Sequence, residues 1–262
     1  MTLADRLRSD ALDERRTAIA EIATRTAVDP AELDSLVACL GHPAKAIQRP
    51  AADAFHALAQ QGIPVETLLT AALDATDPRL RFGAAYALAR LGPPPPAALA
   101  ALLSALALDD GDVRWAAAEL ITRTEPRTAA VAGLLPLVAT GNAPQRKMAL
   151  YCLRDLEAPG AEVEGAALAA LDDPDGGVRL AAMATLTRLA KSNRAAAADG
   201  ILKALNAEDP RERRAAAAAL GDLGLDTNAV REALNDAARA DDASLRRAAE
   251  RSLRKLGPAP RG

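Results

Sequence analysis

The sequence predicts an all-α fold, a stack of about eight helical hairpins. Three observations lead there. A unit of about 33 residues recurs along the chain, the apolar residues are mostly Ala and Leu, and no segment alternates like a half-buried strand. Half of the 262 residues are hydrophobic, but aromatics supply only 2%. Ala and Leu are among the strongest helix formers, whereas strands favour β-branched and aromatic side chains.

The repeat fixes the register. With Arg81 of DPRLRFGAAYALARLG as position 0, the equivalent residues are Arg15, Gln48, Arg81, Arg114, Arg146, Arg179, Arg213 and Arg246, spaced by 33, 33, 33, 32, 33, 34 and 33. Position +3 is Ala in every unit: Ala18, Ala51, Ala84, Ala117, Ala149, Ala182, Ala216 and Ala249. Position +7 is large and apolar throughout, from Ile22 and Phe55 to Leu220 and Leu253. Position +10 is Leu except at Arg25 and Thr124. Offsets of four and three trace one face of a helix, so −1, +3, +7 and +10 are the expected core positions.

The elements follow in chain order. A short leading helix, Leu3 to Arg8, precedes the first anchor helix. Shorter first helices are expected at 30–40, 64–73 and 96–108, each before its anchor helix. Asp77, Asp110, Asp173, Asp209 and Asp242 read as N-caps, three of them followed by Pro, which the first turn tolerates. Gly62, Gly92, Gly224 and Gly257 stand where helices should stop. Pro50 and Pro136 fall inside helical stretches, where each is expected to produce a kink. The first hairpin and the Arg-rich last helix, LRRAAERSLRKLG, read as polar end caps, and 258–262 as a disordered tail.

A second helix written D-P-x-x-R-x-x-A-x-x-x-L-x-x-L-G, cleanest at 209–224, resembles HEAT repeats. More narrowly it is similar to the short bacterial HEAT-like repeats named after phycobilisome lyases. The Trp, Gly and Tyr signature of tetratricopeptide repeats and the T-P-L-H of ankyrin repeats are absent. The resemblance covers nearly the whole chain. It implies a right-handed superhelix forming one repeat domain over 1–257, with hairpins at roughly 1–28, 29–62, 63–92, 93–125, 126–158, 159–191, 192–224 and 225–257. It also implies that second helices line a concave surface and that the protein is a scaffold for other proteins.

At 100° per residue, the face opposite the core carries positions +1, +5, +8 and +12, of which +1 and +5, one turn apart, are expected to project into the groove. Down +1 stand Arg16, Arg49, Phe82, Trp115, Lys147, Leu180, Arg214 and Arg247; down +5 stand Ala20, Asp53, Tyr86, Glu119, Tyr151, Ala184, Ala218 and Arg251. Phe82, Tyr86, Trp115 and Tyr151 are four of the chain's five aromatic residues, and only Phe55 takes a core position. A chain so poor in rings is expected to bury them first, so four in the outward columns read as binding anchors. Arg49, Asp53, His56, Glu119 and Lys147 would form their polar rim. The blander reading covers the rings by curvature or self-association. For the anchor arginines, a structural Arg–Asp ladder is the expectation over a phosphate-binding column.

Other chemistry is scarce. The only histidines, His42 and His56, lack an H-E-x-x-H or C-x-x-C partner, so neither a metal nor a cofactor is expected. The several His-Glu pairs of deoxyhypusine-hydroxylase-like HEAT enzymes are missing. DDGD at 109–112 and DDPDGG at 172–177 fail the spacing of a calcium loop and read as helix caps. A net charge of −3 argues against nucleic acid as the partner. Cys39 and Cys152 fall in hairpins two and five, too far apart to bridge, and suit a reducing, cytoplasmic setting. No signal peptide or membrane span is read. The reading is a monomeric, non-enzymatic adaptor that holds a protein or peptide on its concave face. Two rival functions stand beside it. Trp115 and Glu119, one turn apart, are similar in kind to the aromatic and carboxylate groups of HEAT-like alkyl-base DNA glycosylases, although no motif of theirs matches. A chromophore-lyase subunit rests on the repeat alone.

Overall fold

Each second helix must bury its Ala and Leu stripe on two sides, against its own first helix and against the second helices before and after it. The computed structural model describes residues 1–258, and among these it is all-helical. The tail expected at 258–262 lies outside the described residues from 259 onward. The chain divides into two compact units, 1–133 and 134–262.

In the first unit, α1 (Leu3–Leu7) leads into α2 (Leu12–Ile22), α3 (Pro30–Leu40) into α4 (Lys45–Gln60), α5 (Glu66–Ala72) into α6 (Pro78–Leu91), and α7 (Leu99–Ala105) into α8 (Gly111–Thr122). The division between units falls within α9 (Arg127–Thr140). The second unit continues with α10 (Ala143–Asp155), α11 (Ala161–Ala169), α12 (Gly176–Leu189), α13 (Arg194–Ala204), α14 (Pro210–Leu223), α15 (Asn228–Ala237) and α16 (Ala243–Leu256). These are the sixteen helices of eight hairpins. Within each unit, successive second helices pack side by side: α2, α4, α6 and α8 in the first, α10, α12, α14 and α16 in the second.

All eight Ala at +3 are fully buried. The +7 column is buried as far as Leu220, and Leu253 is half-covered on the last helix. Some contacts are closer still. A Cβ on Gly83 would collide with the Leu40 carbonyl oxygen, and one on Gly221 with Ser252 Oγ. Ser252 Oγ in turn donates to the Ala217 carbonyl oxygen at 2.7 Å, tying α16 to α14. Thr185 makes the equivalent bond from α12 to Leu150 of α10, at 3.1 Å.

Caps follow the sequence closely. Asp77, Asp110, Asp209 and Asp242 accept amides of the first turns of α6, α8, α14 and α16. At α12 the cap is Asp175, which accepts the Val178 amide at 3.0 Å, and not Asp173. Asp173 is engaged by Arg146 in a two-pronged pair of 2.6 and 2.7 Å. The first helix expected at 96–108 begins as a 3-10 turn, Pro96–Ala98, and its α-helical part ends at Ala105. In the run from Pro93 to Pro96 each proline disfavours helical backbone at the residue before it, so the chain stays extended up to Pro95 and turns only from Pro96. Pro50 and Pro136 lie inside α4 and α9, and both helices continue past them. Each proline forfeits one main-chain bond, to Ala46 and Ala132 respectively.

The anchor side chains reach mainly for main chain. Arg81 Nη1 donates to Ala75 O at 2.8 Å and Thr76 O at 3.0 Å. Arg213 clasps Ala207 and Glu208, and Arg246 clasps Ala240 and Asp241, every bond at 2.8 Å. Arg15, Arg114, Arg146 and Arg179 do likewise with Arg8, Leu108, Gly141 and Asp173, and Gln48 bonds Leu40 O at 3.0 Å. The charge therefore sits mostly on carbonyls of the turn between the first and second helix of each hairpin. Among the described residues the expected Arg–Asp ladder is reduced to a single rung, Arg146 on Asp173, beside an Arg179–Glu212 pair whose carboxylate is only 2% exposed.

Glu164 of α11 fixes another loop. Its carboxylate is 4% exposed and accepts the amides of Lys191, Ser192 and Asn193 at 3.1, 3.3 and 3.0 Å, and the Asn193 side-chain amide at 2.9 Å. Burial works to raise its pKa, but these donors outweigh it and hold the group below its ordinary value.

The packing gives three expectations for stability. Gly83→Ala should destabilise the protein by about 1–3 kcal/mol in urea unfolding, because backbone must move. Gly165→Ala, where a Cβ meets nothing within 4 Å, should instead stabilise by about 0.5–1 kcal/mol. Glu164→Gln should cost stability at pH 7. Because the folded pKa is depressed, the gap between wild type and variant is full above the ordinary value of 4.5 and closes as pH falls through the folded value. Urea titrations at a series of pH values check this, and a pH-independent gap would contradict it.

Candidate functional site

The register leaves +1 and +5 uncovered, and most of those residues are indeed exposed or half-exposed. Phe82 is the correction. It was expected in the outward patch, yet it is 3% exposed. Its ring packs against Tyr86 with centroids 6.0 Å apart and planes tilted by 38°. The two rings line a cleft of about 280 Å³ in the first unit, walled by Lys45, Gln48 and Arg49 of α4 and by Asp112, Val113, Ala116 and Glu119 of α8. With α4 and α8 flanking α6 on both sides, a ring at the start of α6 sits on the floor rather than the rim.

Lys45 spans this cleft. From the first turn of α4 it reaches past α6 to Asp112, with Asp110 3.6 Å away. The hydrogen bond to Asp112 is the main reason its pKa lies above the ordinary lysine value. At Asp110, burial pushes the carboxyl pKa up, but the Val113 and Asp112 amides and Lys45 outweigh it and hold the group below its usual range. The charges divide by wall: Lys45 and Arg49 on one side, Asp112 and Glu119 on the other.

The remaining expected residues fall as follows. Trp115 stands on α8 with 53% of its surface exposed, one turn before Glu119. Glu119 is 74% exposed and 4.0 Å from Arg123. Asp53 does not line the aromatic cleft. It pairs with Arg90 at 2.9 Å and borders a neighbouring, more open cleft of about 650 Å³ with Asp13, Arg16, Thr17 and Pro50. His56 is half-buried and turns one ring nitrogen to Gln60 at 2.9 Å. Lys147 and Tyr151 belong to the second unit, where the Arg154 guanidinium lies 4.8 Å from the Tyr151 ring centre. Sequence reasoning missed Lys45, Gln48 and Asp112. Helical spacing could have found two of them, since Lys45 is four residues before Arg49 and Asp112 three before Trp115.

Among the described residues, no group of three or more His, Cys, Asp or Glu could hold a metal ion, and no helix is long and apolar enough to cross a membrane. Both thiols are buried. Burial pushes Cys39 up to about 11 and Cys152 up to about 12, which leaves too little thiolate at neutral pH for nucleophilic work.

A family model for HEAT repeats matches residues 33–122 and 163–254, well over half of the sequence. The chain belongs to the HEAT-repeat family. Among curated proteins none matches it. Solved structures resemble this HEAT chain in fold. Kap95p, whose binding induces the switch loops of RanGDP to adopt the GTP-bound conformation, superposes with a TM-score of 0.64 at 14% identity. The similarity covers 99% of this chain and 41% of Kap95p. YibA of Escherichia coli superposes with a TM-score of 0.63 at 14% identity, covering 97% of this chain and 90% of that one. Human deoxyhypusine hydroxylase gives 0.41 at 19% identity, covering 97% and 94%. The HEAT fold is a solenoid of the kind that serves as a protein-interaction scaffold.

Ellman's reagent should leave both thiols of the native HEAT protein unmodified at neutral pH and titrate both in denaturant. Rapid modification of either in the native state would contradict their burial.

Proposed function

We propose that this HEAT-repeat protein is a non-catalytic adaptor that holds a segment of a protein partner along its second-helix face, the concave side in the family it belongs to. The observation that carries the reading is the Phe82–Tyr86 cleft with Trp115 standing exposed beside it. An apolar side chain of the partner enters the cleft over the two rings, and Trp115 packs against the flanking residues. Arg49 and Glu119, on opposite walls, set direction by pairing with charges of opposite sign on the segment. Trp and Tyr are enriched among interface hot spots, whose truncation costs about 2 kcal/mol or more. In the second unit, Lys147 and Tyr151 offer contacts of their own at the same register positions. The buried thiols suit a cytoplasmic setting, and the absence of any cofactor requirement in this mechanism suits an adaptor.

Affinity capture from a lysate of the source cells tests this, with wild type beside Tyr86→Ala/Trp115→Ala. The partner should be retained by wild type and depleted at least about tenfold by the double variant, as two lost anchors require. The circular dichroism spectra should coincide. Equal capture by both proteins would falsify the assignment of the cleft.

A further inference from the structure

The second unit presents a different chemistry on the same register positions. Its +1 and +5 residues are Lys147 and Tyr151 on α10, Leu180 and Ala184 on α12, Arg214 and Ala218 on α14, and Arg247 and Arg251 on α16. These eight positions carry four cations and no carboxylate. The first unit carries two cations and two carboxylates on its own set, Arg16, Arg49, Asp53 and Glu119. All of the second unit's eight are exposed or half-exposed.

Elsewhere arginine is commonly paired. Arg146, Arg154, Arg179, Arg188, Arg211 and Arg231 each hold a carboxylate in the second unit. Among the described residues Lys147, Arg214, Arg247 and Arg251 hold none. The Arg247 guanidinium donates to Ser244 Oγ at 3.3 Å, and Arg251 Nε donates to the Arg247 carbonyl oxygen of its own helix at 3.2 Å. Asp242, whose charge is felt by Arg213 and Arg214, spends its side chain on the Leu245 and Ser244 amides.

These arginines are not accounted for as a solubilising end cap. On α14, positions +4 and +8 are Ala217 and Gly221, both buried, with Gly221 pressed against Ser252 of α16. The same positions on α16 are Glu250 and Arg254, exposed where no further described helix covers them. The end face is therefore +4 and +8, one cation and one anion. Arg247 and Arg251 stand at +1 and +5 instead, on the face shared with Arg214 and with Leu180.

We infer that this face of the second unit binds an acidic protein segment bearing interspersed aliphatic side chains. Guanidinium groups recognise carboxylates in two-pronged pairs. Arg247 and Arg251 are one turn apart, about 6 Å, and Arg214 lies on the neighbouring helix about 10 Å away, a spacing that suits alternate residues of an extended chain. Leu180, Ala184 and Ala218 form an apolar floor between the cations, which a polyphosphate backbone would leave unused. The inference does not depend on the aromatic cleft, which lies in the other unit.

Fluorescence anisotropy with a labelled glutamate-rich peptide containing leucines tests it, using the full chain. Wild type should bind, with affinity falling as salt rises. Arg247→Gln/Arg251→Gln should weaken binding about tenfold or more at unchanged helicity, corresponding to the loss of two charge pairs. Arg254→Gln, on the end face, should stay within about twofold by the same arithmetic. No binding by wild type, equal losses in both variants, or tighter binding of single-stranded oligothymidine than of the peptide would each overturn the proposal.

Discussion

Helices pack closely here around a column of Ala at position +3, present in all eight hairpins and wholly buried in each. A larger side chain at that point would hold neighbours apart by its own width, and everything else depends on the spacing. It brings Ser252 and Thr185 within bonding distance of the carbonyls of the preceding second helix. Gly221 stands against Ser252 of the next second helix, and Gly83 against Leu40 of α3, where nothing larger fits. Close packing of this kind gains from dispersion summed over many small contacts, which compensates for a core almost without rings.

The same geometry decides where chemistry is possible. With −1, +3, +7 and +10 used for packing and position 0 for the loop clasp, +1 and +5 stand on the face opposite the core. The first unit fills them with rings and charges of both signs, the second with cations and small apolar residues. Position −1 marks the limit of such accounting. Glu212 occupies a core position, and it is stable there because Arg179 meets both carboxylate oxygens, at 2.5 and 2.8 Å.

The fold was legible in the sequence because a helical register repeats every 33 residues and each repeat confirms the others. The Asp caps and the Ala column needed no knowledge of tertiary structure. What escaped was anything set by the height of neighbouring helices. Phe82 occupies the same outward position as Trp115, but only the structure reveals that Arg49 and Val113 rise on either side of it. Asp173 and Asp175 are equally good caps on paper, and Arg146 of the preceding hairpin takes the first. The anchor arginines invited an acidic partner because charges are visible in a sequence, whereas the carbonyls they mostly bond are present at every residue and therefore invisible in it.

That last feature bears on how such a protein tolerates change. A clasp that reads main-chain oxygen is indifferent to the side chain that carries it: Ala75, Leu108, Gly141, Ala207 and Ala240 all serve. The turns inside the hairpins can drift through neutral substitutions while their shape is retained, provided the chain length is kept. Mutational freedom is thus concentrated in the turns and on one helix face, so new binding preferences can be acquired there without renegotiating the stack.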